Sequence, residues 1–162
     1  MSVCIDVVRL PHPNSSAVGD EAKEIQREEE SIDEEILGAV LSGAKLRSSL
    51  RALATAVSER RFANWDGYGA KPASISAMMY AIGLLKRLPP EAPEPDISID
   101  PDGEVALEWH RAPRLVFSVS VGPLGELTYA GLFGGSKVHG VETHMGDAIP
   151  RAIRAGIQRV YA

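Results

Sequence analysis

The chain has 162 residues, 44% of them hydrophobic and 24% charged, with a formal net charge of −5. That length suits one well-filled hydrophobic core, and no apolar run reaches the roughly 20 residues of a membrane helix, so a cytoplasmic globular protein with no membrane partner is expected. A single cysteine, Cys4, excludes an intrachain disulfide and any multi-cysteine metal centre.

The opening MSVCIDVVRLPHPNSS has no basic stretch ahead of a long apolar one and so does not read as a secretory signal. CIDVVRL at 4–10 has the make-up of a short strand, and PHPNSSAVGD that of a linker. Between Asp20 and Glu35 nine acids stand against two bases, a local charge of −7 that leaves +2 for the rest of the chain. With no broad basic field, binding to a phosphate backbone is disfavoured. The acidic run reads as a solvated or mobile helical segment. Residues 1–30 are therefore expected to form a flexible or partly ordered N-terminal segment, and 31–162 a single α+β domain. Ile32, Ile36, Leu37, Val40 and Leu41 recur at helical spacing and predict a helix docked on the core, interrupted at Gly43.

Leu46, Leu50, Leu53 and Val57 follow at steps of four, three and four, which predicts a helix over 44–63 flanked by Lys45, Arg47, Arg51, Arg60 and Arg61. The segment FANWDGYGAKP at 62–72 breaks it. Beyond the break, SISAMMYAIGLLKRL predicts a second helix capped by Ser74, with Ile75, Met78, Met79, Ile82 and Leu85 on its buried face, stopping at Pro89 and Pro90. PPEAPEP then reads as a stiff, extended connector.

From residue 97 the period changes to two. Ile97 and Ile99 alternate before DPDG; Val105, Leu107 and Trp109 alternate after it, with Glu104, Ala106, Glu108 and His110 on the other face, a hairpin pattern. LVFSVSV aims Leu115, Phe117, Val119 and Val121 one way, LTYAGLF makes a further strand, and SKVHGVE extends the meander. Ile149, Ile153, Ile157 and Val160 predict a closing amphipathic helix that starts near Asp147 as its N-cap. Helices first and a meander second predict an α+β fold, its helices packed on one face of a four- or five-stranded antiparallel sheet.

Five groups of residues call for a chemical reading. In NWDGYGAKP, Asn64 and Asp66 suit local backbone hydrogen bonds, Gly67 and Gly69 admit positive φ, and Phe62, Trp65 and Tyr68 would make a small satellite core. As a recognition surface the same stretch would present Trp65, Asp66, Tyr68 and Lys71. Glu108 and His110 share a strand face, where a carboxylate can orient an imidazole and raise its basicity, although a solvated row of charges explains them as well. Tyr68 is the third candidate for acid–base work. His139, Glu142 and His144 in HGVETH are metal-ligand types, but the spacing is not the helix-borne HExxH, and a straight strand points His139 and Glu142 to opposite faces. The acids at 100, 102 and 104 fall short of a twelve-residue calcium loop, Ser118 and Ser120 lie in no nucleophile elbow, and no cofactor-binding signature is present.

With NWDGYGAKP at 64–72, DPDGEVALEW at 100–109 and LTYAGLFG at 127–134 in view, the chain resembles an uncharacterised family of short bacterial proteins over about residues 60–160. The resemblance implies a bacterial protein with a variable N-terminal region and brings no assigned activity. The leading expectation is a non-enzymatic protein-interaction domain: an antitoxin, immunity protein, inhibitor or adaptor whose partner is another protein. A small acid–base or metal-assisted hydrolase and a nucleic-acid-binding protein using Lys45, Arg47, Arg51, Arg60 and Arg61 are the alternatives. A homo-oligomer joined through an unpaired edge strand is a further one.

Overall fold

The computed structural model describes residues 19–143 and 148–162. CIDVVRL, His144 and Asp147 lie outside them. The chain divides at Leu37/Gly38 into two units. In the first, residues 20–37 are helical.

The second unit is the α+β body. Its elements are the remainder of helix α1 (Asp20–Glu59), helix α2 (Ile75–Lys86), strands β1 (Asp96–Ile99), β2 (Val105–Ala112), β3 (Leu115–Val121), β4 (Glu126–Phe133) and β5 (Ser136–Thr143), and helix α3 (Arg151–Tyr161). The five strands form one antiparallel sheet in the order β1-β2-β3-β4-β5. Strict alternation fixes the register, since a slip of one residue would turn every apolar side chain to water. Ile97 pairs with Leu107, Trp109 with Phe117, and Val119 with Tyr129. Val105, Leu107, Trp109, Phe117, Val119, Val121 and Leu127 are fully buried on one face, where α2 and α3 pack. Phe117 lies where a Cβ on Gly156 of α3 or on Gly131 of β4 would collide with its ring, so the two glycines let helix and sheet close around it.

Three expectations about the helices need correction. Gly43 does not interrupt α1, which runs through it to Glu59. One glycine disfavours a helix by only about 1 kcal/mol, too little to break a segment rich in Leu and Ala. Val40 and Leu41 do not dock on the core: both are more than half exposed, as are Ile36 and Leu37 of the first unit, the side chain of Ile32 lies outside the described residues, and in the second unit α1 joins the core through Leu53 and Ala56, with Leu46, Leu50 and Val57 against its edge. Helix α2 buries Ala77, Ala81, Leu84 and Leu85, whereas Ile75 and Met79 are exposed. Nearly every position of α2 is apolar, so periodicity alone could not choose its face; the two alanines win because they allow close approach to the sheet. Ser74 does cap α2, its hydroxyl accepting from the Ala77 N–H at 3.2 Å.

The proline connector is only partly extended. It opens with a turn in which Ala92 N–H donates to the Pro89 carbonyl, and its Pro93 carbonyl accepts from the Trp109 indole N–H at 2.9 Å. Helix α3 begins at Arg151 behind Pro150, and Ile149, Ile153, Ile157 and Val160 are buried as their spacing predicts.

Candidate functional site

The break between α1 and α2 is held by hydrogen bonds among its own side chains and backbone. Asn64 adopts φ 60°, a left-handed conformation that asparagine tolerates, while Gly67 and Gly69 take φ 78° and 95°. These conformations fold the loop on itself. The Asn64 N–H donates to the Ala70 carbonyl at 2.7 Å, and Asn64 Oδ1 accepts from the Gly69 N–H at 2.8 Å. Asp66 Oδ1 accepts from the N–H groups of Tyr68 (2.8 Å) and Ala70 (3.1 Å). The Trp65 indole N–H closes the base by donating to the Lys71 carbonyl at 2.9 Å, with the Arg60 guanidinium 5.2 Å from its ring centre.

Hydrogen bonds donated by the Tyr68 and then the Ala70 amide N–H hold the Asp66 carboxyl below its ordinary value of 3.8, with desolvation opposing them. Because the folded value is the depressed one, the carboxylate's hold on the loop is complete above the ordinary value and is lost as pH falls through the lowered one. The Tyr68 and Ala70 amide resonances are therefore expected to titrate together with a midpoint below 3.8, and Asp66→Asn to abolish that titration. A midpoint at or above that value in an NMR titration would contradict the assignment.

The loop is fastened to the β1–β2 hairpin turn, some thirty residues away in sequence. The Lys71 N–H donates to the Pro101 carbonyl and the Ser74 N–H to the Gly103 carbonyl, both at 2.8 Å. The turn is closed by the Gly103 N–H donating to the Asp100 carbonyl at 2.8 Å and by Asp102 Oδ1 accepting from the Glu104 N–H at 3.1 Å. NWDGYGAKP and DPDG thus form one assembly. The satellite core expected of the three aromatics does not form: Tyr68 is 96% exposed and Phe62 67% exposed, and only Trp65 is half-buried. Backbone hydrogen bonds supply the order that an aromatic cluster was expected to supply.

Beside this assembly lies the second face of the sheet, which no described element covers. Its register sets Asp96, Glu108, Ser118, Ala130 and His139 in one row and Ser98, Ala106, Ser120, Thr128 and Val141 in the next. Ser98, Ala106, Ser118, Ser120, Thr128 and Ala130 floor a trough of about 400 Å³, with Asp96, Asp100 and Glu108 also among its walls. At its turn end the Ser120 hydroxyl lies 3.0 Å from Asp100 Oδ2 and 2.8 Å from Glu104 Oε2. A smaller cleft of about 280 Å³, lined by Pro89, Pro93, Ile157 and Tyr161, lies between the proline connector and α3.

The acid–base candidates are dispersed. Glu108 and His110 are exposed on the open face, but His110 lies seven residues along the chain from Gly103, about 20 Å at strand rise, so Tyr68 at the turn end is not brought to it. His139 and Glu142 point to opposite faces of β5, the former paired with Ala130 and the latter with Leu127. No group of three or more metal-ligand side chains occurs among the described residues. Of the basic candidates, Lys45 Nζ donates to the Pro90 and Ala92 carbonyls, Arg60 pairs with Glu59 and stacks on Trp65, and Arg61 stacks on Phe62. Arg47 and Arg51 are exposed on α1.

Among the described residues no helix is long and apolar enough to cross a membrane. No protein-family model matches the chain, and neither a curated protein nor a solved structure gives a significant match.

Proposed function

We propose that the protein is a non-enzymatic interaction domain of the antitoxin, immunity, inhibitor or adaptor kind, docking another protein on the rim formed by Trp65, Asp66, Tyr68 and Lys71 and on the adjoining sheet face. The observation that carries this reading is Tyr68: a 96% exposed aromatic at the tip of a loop whose backbone is already tied down by Asn64 and Asp66. A fixed tyrosine offers contact area and a hydroxyl without the entropic cost of ordering a mobile loop, the combination common in interface anchors.

Native mass spectrometry of the protein isolated from its own cells tests the proposal. The wild type is expected to carry a stoichiometric second protein, and Tyr68→Ala to weaken that complex at least 30-fold, about 2 kcal/mol. Lys86→Ala, exposed at the C-terminal end of α2 and so away from the loop, serves as the control that leaves it intact. A lone chain carrying a small molecule or metal would point to the hydrolase alternative instead.

A further inference from the structure

The two edges of the sheet are unlike. Strand β1 has only four residues, between Pro95 and Pro101, and of Ile97 and Ile99, whose backbone groups face away from β2, Ile99 is buried. Strand β5 offers an edge of eight residues, with no proline and no bulge in its pairing with β4. Only Gly134 and Gly135 separate Phe133 from Ser136, so that pair exchanges backbone hydrogen bonds, as do Gly131 with Val138, Tyr129 with Gly140 and Leu127 with Glu142. Lys137, His139, Val141 and Thr143 therefore turn their N–H and C=O groups away from β4. All four residues are exposed, and no described residue bonds to these groups. Such an edge is a template for another strand, and natural sheets ordinarily blunt it with a proline, a bulge or several charges. Here only Lys137, beside the turn, serves that purpose on the open face's rim.

The strand that complements this edge is β5 itself. With two copies antiparallel about a two-fold axis at Gly140, Lys137 stands opposite Thr143 of the second copy and His139 opposite Val141, so every outward N–H and C=O of both strands is paired. A slip of two residues either way leaves one of the four residues unpaired in each copy. Charge favours the same register. Thr143 lies beside Glu126 of β4, so Lys137 of each copy enters the open-face row of the other copy's Glu126, two strand spacings or about 10 Å away and within reach of the two side chains, and no like charges stand opposite. The slipped registers lose this pairing. On the other face the Tyr129 hydroxyl lies 2.5 Å from where a Cβ on Gly140 would sit, so each ring reaches across the edge glycine and the two hydroxyls come together at the axis.

We propose that two copies of the chain associate through β5, antiparallel and two-fold symmetric about Gly140, so that their sheets join into one of ten strands. The Tyr68 loop sits on the β1–β2 turn, toward the opposite edge of the sheet, so the contact is independent of the partner proposed there.

Sedimentation equilibrium of the full chain, with amide hydrogen exchange, tests it. A strand-edge contact is at the small end of specific interfaces, so the wild type is expected to dimerise with a dissociation constant of about 10–100 μM. The His139 and Val141 amides are expected to exchange about 3-fold more slowly at about 500 μM than at about 10 μM, whereas Val138 and Gly140, bonded to β4 in either state, keep their rates. Val141→Pro removes an outward N–H and leaves the bonds to β4 in place; it is expected to raise the dissociation constant at least about 30-fold. Lys137→Glu keeps the backbone intact, sets a carboxylate toward Glu126 of the second copy, and is expected to raise it at least about 5-fold. A monomer at about 500 μM or a dimer indifferent to either substitution would overturn the proposal. So would slow exchange of His139 and Val141 that does not depend on concentration, since another part of the chain would then cover the edge.

Discussion

Trp109→Ala is expected to destabilise the body by about 3–5 kcal/mol, the range for deleting a large aromatic from a close-packed core. Trp109 is fully buried, its ring centre 6.3 Å from that of Phe117, and its indole N–H is the donor that anchors the proline connector at Pro93. The substitution therefore opens a cavity under α3 and removes the hydrogen bond that seats the chain between α2 and β1. For a domain of this size such a loss is a large part of the whole stability, and a fall in Tm of roughly 10 °C or more is expected. Trp109→Phe separates the two contributions. It keeps most of the packing and loses the N–H, so about 1–2 kcal/mol is expected from thermal or denaturant unfolding. Equal effects from both variants would mean that the connector bond, and not the core volume, is what Trp109 supplies.

The strands were legible because one-sided burial writes itself into a period of two. Every apolar residue of VALEW and FSVSV that alternation aimed inward is buried, and the intervening Ala106, Glu108, Ser118 and Ser120 define the open face. Helix faces were less legible where the pattern was saturated. In α2 the choice between Ile75–Met79 and Ala77–Ala81 depends on how closely the helix approaches the sheet, which no local pattern records. The continuity of α1 through Gly43 was missed for a different reason: local propensity prices the glycine but does not know what surrounds it.

At the candidate site, the internal order of NWDGYGAKP was readable from its chemistry. Asn and Asp seek backbone amides and the glycines admit positive φ, as Asn64, Asp66, Gly67 and Gly69 show. What the loop rests on was not readable. Its seat on Pro101 and Gly103 is a long-range contact between backbone groups, to which side-chain identity contributes nothing except the absence of a Cβ at Gly103. The exposure of Tyr68 followed from that seating and was likewise invisible in the sequence.

Gly103 is accordingly where loop and hairpin are most sensitive to a single atom. Its φ of 91° is one that L residues rarely adopt, and a Cβ there would sit 2.5 Å from the Pro72 carbonyl oxygen, which is backbone and cannot swing aside. Gly103→Ala is expected to cost about 3 kcal/mol, combining left-handed strain with overpacking. Gly67→Ala provides the comparison: φ is 78° but nothing lies within 4 Å, so only the strain of about 1–2 kcal/mol is expected. The excess at Gly103 should appear as faster amide exchange at Lys71 and Ser74, whose N–H groups donate to Pro101 and Gly103. If recognition depends on a pre-set Tyr68, Gly103→Ala weakens partner binding even where the body remains folded, although residue 103 itself need not touch the partner. Tyr68→Ala should do so with no change in stability or exchange. A Gly103→Ala protein that unfolds no more readily than Gly67→Ala would mean that the loop is not held against the hairpin turn in solution, and rigidity would cease to account for a binding role of Tyr68.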